Sequence, residues 1–239
     1  DDTQDISWEL QKECHCDIFL ADFENFLALH ILHQSQLRVH MAAIQVISIV
    51  SRIFLKPIEQ ACELSWSQDK ASSVDKKREC LAHLLRLYVP FCSCCAAVLI
   101  VHAKHFLYLL GCDVRDSSIL KMQLSLFRVP LMGINGVLES FLRANAPLAI
   151  IKHRQRFIEK FLCVQLPVMY LLGRRGGLAF VLYSSLLQTL PRIGYALTQI
   201  PSTSNTWGMR KEVHTLLVAI TLFSSYSCLR GYLIATYCG

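Results

Sequence analysis

Long apolar segments recur along the chain, and a short polar, often basic stretch closes each one. A helix needs roughly 17 to 25 mostly apolar residues to cross a bilayer. Segments that meet or approach this length lie at 41–58, 81–101, 122–142, 157–172, 176–200 and 213–237. A weaker segment, 18–32, contains charged residues and is either an amphipathic interfacial helix or a poorly hydrophobic span. The pattern predicts an all-α, polytopic membrane helical bundle over residues 1–239.

Composition favours a membrane protein over other classes. Hydrophobic residues make up 53% of the chain and charged residues only 18%, and the mean hydropathy of +0.38 is high for a water-soluble globule. The 24 Lys and Arg exceed the 18 Asp and Glu by only six, and the bases form short clusters between apolar runs. A nucleic-acid-binding surface would mass them on one polar face, so no nucleic-acid partner is expected.

Cysteines and short motifs give no sign of a cofactor or an enzyme. Eleven cysteines in a hydrophobic chain do not resemble a secreted disulfide scaffold, and those within 92–95 are expected to be inert core residues. The Cys-His-Cys run at 14–16 lacks a second ligand pair at zinc-finger spacing, so we assign no metal. Nucleotide-binding glycine motifs, GxSxG and HExxH are absent, and GRRGG at 173–177 is predicted to be a tight turn. We therefore expect no enzymatic activity and no cofactor.

The polar stretch 63–80 is predicted to be an exposed loop, and basic loop residues predict orientation. The loops after the first, third and fifth clear spans contain ten: Lys70, Lys76, Lys77, Arg78, Arg143, Lys152, Arg154, Arg156, Arg210 and Lys211. The opposite side has five: Lys104, Arg115, Lys121, Arg174 and Arg175. This excess favours the first side as cytosolic.

Polar residues inside the predicted spans lie along single helix faces. Their helical spacings are i, i+7, i+14 for Gln45, Arg52 and Glu59, and i, i+4 both for Asn135 with Glu139 and for Gln188 with Arg192. A charged residue at the bilayer centre costs about 2.5 to 3.5 kcal/mol, so these faces are expected to meet one another or a wet cavity. We expect the two arginines to pair with the two glutamates. Both interhelical glue and a polar pathway, in which arginines bind a diphosphate, fit the pattern.

Other residues in the spans are predicted to shape the helices or to reach the interface. Gly133 and Gly136 permit close backbone approach to a neighbouring helix, and Pro191 is expected to kink the fifth span. Three long basic side chains lie near span ends: Lys56, Arg128 and Arg143. We expect them to snorkel to the membrane interface and assign them no functional role.

The same polar faces carry a family likeness. Segment 125–141, SLFRVPLMGINGVLESF, resembles the Asn-Gly-x-x-Glu-x-Phe helix of the Rft family of endoplasmic-reticulum oligosaccharide-lipid translocation proteins, with matches at Asn135, Gly136, Glu139 and Phe141. Segment 48–60, SIVSRIFLKPIEQ, is similar to the family's Ser-Leu-Val-Ala-Arg and Phe-Gln-Pro-Ile-Glu-Glu motifs, and segment 176–200 to its Asn-Met-x-x-Arg-Ile helix. Departures from the pattern are Lys56, Gln60, Gln188 and Thr189.

The resemblance implies one half of a transporter of the multidrug/oligosaccharidyl-lipid/polysaccharide exporter superfamily, with two pseudo-symmetric bundles around a cavity. The chain would be the second bundle, with an N-terminal bundle missing. The implied role is translocation of the dolichol-diphosphate-linked oligosaccharide precursor from the cytosolic to the lumenal leaflet of the endoplasmic reticulum membrane for N-glycosylation. The implied partners are this lipid, the surrounding membrane lipids and the missing bundle.

Six residues are the candidates for the substrate pathway: Arg52, Glu59, Asn135, Glu139, Gln188 and Arg192. Alternating access by rocking of two bundles is the expected mechanism, with arginines screening the diphosphate and amide or carboxylate groups engaging sugar hydroxyls. Two alternatives stay open at this point. The protein could export another substrate on the same fold, or act as a non-transporting scaffold of the glycosylation machinery.

Overall fold

The computed structural model describes residues 25–69 and 73–200 of the chain, and all regular secondary structure in these residues is helical. A short helix over 25–31 precedes eight labelled α-helices and one π-helical turn. The labelled helices are α1 (Gln34–Val50), α2 (Lys56–Gln68), α3 (Val74–Val101), α4 (Ala103–Leu109), α5 (Asp116–Leu126), α6 (Arg128–Asn145), α7 (Leu148–Gly176) and α8 (Leu178–Gln199), and the π-turn is Ser51–Leu55. The predicted span 213–237, the first seven residues of segment 18–32 and the run at 14–16 lie outside the described residues.

A wide π-helical turn interrupts the first long helix without ending it. The backbone N–H of Lys56 donates to the carbonyl of Ser51, five residues earlier, and α2 continues directly with Pro57 in its first turn. Proline cannot donate a helical hydrogen bond, and its ring crowds the carbonyl four residues before it, here that of Ile53. A wide turn just before proline relieves this crowding. The span that was predicted to end at residue 58 therefore continues as a helix to Gln68.

The prediction of a loop over 63–80 is wrong for the helical parts of this segment, although most of its described residues are exposed as predicted. Helix α2 extends to Gln68 and α3 begins at Val74, with Ser73 as an N-cap whose hydroxyl accepts from the Lys76 N–H. Lys77 is buried, and its ammonium donates to the Trp66 carbonyl at 2.8 Å. That carbonyl belongs to the last turn of α2, where helical acceptors lack backbone donors, so a lysine from α3 caps α2 and fastens the hairpin.

The turn after α4 has the geometry of a Schellman cap. Gly111 has φ +66°, its N–H donates to Tyr108 O at 3.1 Å, and the Cys112 N–H donates to Leu107 O at 2.9 Å. Only glycine adopts this backbone region without strain, so Gly111 fixes the direction in which the chain leaves α4.

Helix α6 lies at the centre of the bundle and is buried along most of its surface. It packs against α2, α3 and α8 and against the π-turn. Pro130 lies in its first turn and cannot donate to Leu126, which accounts for the break between α5 and α6 at Phe127. The apolar core is continuous from α1 to α8 through this helix.

Helices α7 and α8 pack together as a hairpin through a turn at Gly177, which has φ +61°. This turn falls within the predicted turn 173–177, although α7 extends to Gly176. The His153 ring lies 2.9 Å from the Tyr195 hydroxyl, and the ring of Phe157 stacks on that of Tyr195 at 5.2 Å. Pro191 lies inside α8, which continues past it to Gln199.

Within the described residues, two helices are long and apolar enough to cross a membrane, Gln34–Gln68 and Val74–Val101. They contain the predicted spans 41–58 and 81–101. Segment 122–142 lies on α5 and α6, 157–172 within α7, and 176–200 largely on α8. The crossing of a bilayer by these three segments stays a prediction.

Candidate functional site

The buried carboxylate of Glu139 joins three helices. Its side chain is 9% exposed, and Oε1 lies 2.5 Å from an Nη of Arg154 on α7 and 3.9 Å from an Nη of Arg192 on α8. From α6 itself, Asn135 donates its amide to Oε1 at 2.9 Å, and Arg143 approaches Oε2 at 3.4 Å. We call Glu139, Asn135, Arg143, Arg154 and Arg192 the Glu139 cluster.

Burial of this carboxylate depends on its partners. Taking a carboxylate out of water costs several kcal/mol, and oppositely charged groups with good geometry offset that cost. Arginine suits this role because its guanidinium stays charged and presents several donors in one plane. The cluster is therefore an electrostatic tie between α6, α7 and α8.

Arg154 is the cluster member that sequence reasoning assigned wrongly, as a loop residue. It lies in α7, only 3% exposed, and reaches from that helix to Glu139. The buried residues Ile151 and Ile158, three before and four after it, lie on the same helix face. This spacing was the available signal, and it was hidden because 152–156 contains three basic residues.

Arg143 is also more than a snorkelling side chain. Besides Glu139 it lies 3.8 Å from Glu63 of α2, and its side chain is 30% exposed. It thus extends the cluster from the buried carboxylate of Glu139 to the half-exposed carboxylate of Glu63 on α2.

The close backbone approach expected at two glycines of α6 is present. At Gly136, a Cβ atom would overlap the carboxylate of Glu59, which lies directly across the α6 backbone. At Gly133, a Cβ would lie 2.8 Å from the sulfur of Cys92 and 3.2 Å from the ring of Tyr88. These glycines let α2 and α3 press against the face of α6 and bring Glu59 near Glu139.

The predicted stripe of Gln45, Arg52 and Glu59 is broken between Arg52 and Glu59. A π-turn adds one residue to a helical turn, which rotates all later residues by about 100°. Arg52, inside the π-turn, is exposed, whereas Glu59 packs at Gly136. Within the described residues no carboxylate lies within 4.0 Å of the Arg52 guanidinium, so the expected pairing of Arg52 with Glu59 or Glu139 is wrong.

The remaining candidates lie on α6 and α8. Arg192 reaches Glu139 at 3.9 Å, as the expected pairing of arginines with glutamates required. Its companion Gln188 is on α8, but its side chain lies outside the described residues. The Oδ1 atom of Asn135 is buried without a hydrogen-bond donor among the described residues, so the amide retains an acceptor.

The cluster has the character of a binding or structural site. In the described part of the chain, no group of three or more His, Cys, Asp or Glu could hold a metal ion. The arrangement supplies charge, hydrogen-bond donors and one acceptor inside an apolar bundle. It can bind or release anionic and polyhydroxyl groups, or hold helices together.

The described part of the chain is all-helical, with two apolar helices of membrane-spanning length and a buried charged cluster, which are features typical of membrane proteins. Residues 40–237 match the Rft protein family, and the chain belongs to this family. No curated protein and no solved structure matches the chain.

Proposed function

We propose that this protein is an intramembrane lipid transporter. It helps to move the dolichol-diphosphate-linked oligosaccharide precursor from the cytosolic to the lumenal leaflet of the endoplasmic reticulum membrane for N-glycosylation. The observation that carries the proposal is the family match over residues 40–237, which includes every member of the Glu139 cluster. The protein is then a multi-pass protein of that membrane and has no catalytic step.

The chemistry of the cargo fits the chemistry of the cluster. A diphosphate and a large sugar head must cross the hydrocarbon layer while the polyprenyl tail stays within it. Guanidinium groups bind phosphate oxygens through paired donors, and the unused acceptor of Asn135 suits a sugar hydroxyl. The helices would form one bundle of a two-bundle transporter, and rocking of the bundles would expose the cluster to each side in turn.

In this proposal the pathway residues have different parts. Arg192 and the exposed Arg52 screen the diphosphate, and Asn135 engages sugar hydroxyls. Glu139 and Glu59 set the local charge and hold the helices that present these groups. Gln188 stays a candidate because of its i, i+4 spacing from Arg192 in the sequence.

Measuring lipid-linked oligosaccharides in cells that lack the protein tests this assignment. We expect the five-mannose intermediate to accumulate and glycoproteins to be underglycosylated, and we expect the wild-type protein to correct both. Normal levels of the lipid intermediates in the deficient cells would contradict the proposal. A defect confined to drug resistance or to another exported lipid would indicate a different substrate for the fold.

A further inference from the structure

A groove lies between the beginning of α1 and the turn that follows α4, far from the Glu139 cluster. Its cavity measures about 440 Å³ and is lined on the α1 side by Arg38, Met41 and Gln45, and on the other side by Leu110 and Cys112. Volumes of 300 to 1,000 Å³ are typical of sites that hold small organic ligands.

The polar groups of the groove are available to a ligand. Arg38 and Gln45 are both exposed, and within 25–69 and 73–200 no carboxylate lies within 4.0 Å of the Arg38 guanidinium. The nearby acidic residue Asp113 is already paired with Arg115 at 2.7 Å. Among the described residues, the groove therefore presents one arginine without an ion pair and one exposed amide.

The remaining lining is apolar or neutral. Met41 and Leu110 supply apolar surface. The Cys112 thiol donates a hydrogen bond to the Arg38 carbonyl, with a distance of 3.7 Å from sulfur to oxygen. Burial raises the pKa of this thiol, so it remains neutral at physiological pH. Exposed Tyr108 and Leu109, at 80% and 79%, extend the apolar surface beyond the groove.

The position of the groove relative to the first candidate membrane span predicts that it lies at a membrane surface. Arg38 and Glu63 lie on one continuous helix, Gln34–Gln68, and 25 residues of helix span about 38 Å. This is close to the thickness of a bilayer with its headgroups, so a crossing of the bilayer by this candidate span would place Arg38 near one interface and Glu63 near the other. An exposed tyrosine such as Tyr108, two residues before Leu110, is typical of residues at headgroup level.

We propose that this groove binds an anionic glycerophospholipid of the surrounding bilayer, with its phosphate at Arg38 and the start of an acyl chain along Met41 and Leu110. The charge of Arg38 selects an anionic headgroup, and Gln45 donates to a glycerol ester or a headgroup oxygen. The site is separate from the Glu139 cluster, because Arg38 lies about 38 Å along the helix Gln34–Gln68 from Glu63, the residue that pairs with Arg143 of the cluster.

Photo-crosslinking in membranes that contain the protein tests the proposal. Two probes are used, phosphatidic acid and phosphatidylcholine, each with a diazirine on the acyl chain near the glycerol, and crosslinked peptides are mapped by mass spectrometry. We expect the anionic probe to label the peptides of Met41 and Leu110 about fivefold more than the zwitterionic probe, the ratio for one charge contact at a membrane surface. Arg38→Gln should abolish this preference and Arg38→Lys should retain it, while Arg86→Gln, at an exposed arginine of α3, should leave it unchanged.

Equal labelling by the two probes, or a preference that survives Arg38→Gln, would overturn the proposal. Displacement of the probe by stoichiometric amounts of a polyprenyl diphosphate would also overturn it, because the groove would then belong to the transported lipid. Protection of the groove from both probes would show that another part of the protein fills it, and would equally exclude a bilayer lipid. None of these outcomes depends on transport activity.

Discussion

The carboxylate of Glu139 lies 2.5 Å from the guanidinium of Arg154, and this ion pair joins α6 to α7 inside the bundle. The pair has a consequence for function, because a carboxylate that holds arginines is not free to engage a sugar until the helices move. Glu139 is therefore better placed to control the position of the arginines than to bind the cargo directly.

Replacing Arg154 by leucine should destabilise the protein by about 3 kcal/mol, because removal of one partner leaves a buried charge poorly compensated. The free energy of unfolding in detergent, from a denaturant titration, measures this. Arg156→Leu, two residues away and exposed, is the matched control and should change stability by less than about 0.5 kcal/mol. Equal losses of unfolding free energy for the two substitutions would show that the ion pair of Arg154 with Glu139 does not stabilise the protein.

A side chain at Gly136 should separate α2 from α6. Gly136→Ala would place a methyl group against the Glu59 carboxylate, and we expect a loss of about 1 to 3 kcal/mol of stability. Gly194→Ala on α8 meets nothing within 4 Å and should be neutral or slightly stabilising, since alanine favours a helix. Adding Glu59→Ala to Gly136→Ala removes the overlap, so the double variant should recover part of the loss. If the double variant is no more stable than Gly136→Ala alone, the contact with Glu59 is not the cause of the lost stability.

Replacing Lys77 by methionine should loosen the hairpin of α2 and α3. The substitution keeps the length of the side chain but leaves the buried Trp66 carbonyl without its donor, at a cost of about 1 to 3 kcal/mol. Hydrogen exchange over 63–80 and the free energy of unfolding report the change. Lys76→Met, at an exposed position one residue earlier, should leave both measurements unchanged. Similar exchange rates in the two variants would argue against a capping role.

Arg52→Leu should impair N-glycosylation without preventing insertion into the membrane. Arg52 is exposed and makes no ion pair with a described residue, so its loss removes a charge and little packing. Glycoprotein mobility and lipid-precursor levels in cells lacking the native protein provide the assay, with Arg86→Leu as an exposed control. A variant that restores both to normal would remove Arg52 from the transport pathway.

Sequence patterns predicted the helical class and much of the site because apolar length and polar spacing are local properties. Asn135 and Glu139 were placed on one face of one helix, and their hydrogen bond agrees with that spacing. The π-turn was missed because periodicity assumes a regular helix, and the relief of crowding at Pro57 changed the register between Arg52 and Glu59. Arg154 and Lys77 were missed because a basic stretch resembles a loop. Each is buried in the structure against a partner on another helix, Glu139 for Arg154 and the Trp66 carbonyl for Lys77.

The most direct test of the proposed function is the rate at which labelled dolichol-diphosphate oligosaccharide crosses the bilayer of proteoliposomes that contain the purified protein. We predict faster translocation than in protein-free liposomes, and a reduced rate with Glu139→Gln at equal protein incorporation. If the rate with protein equals the protein-free rate, while cells lacking the protein still underglycosylate, the transport account is contradicted and a scaffold role is favoured.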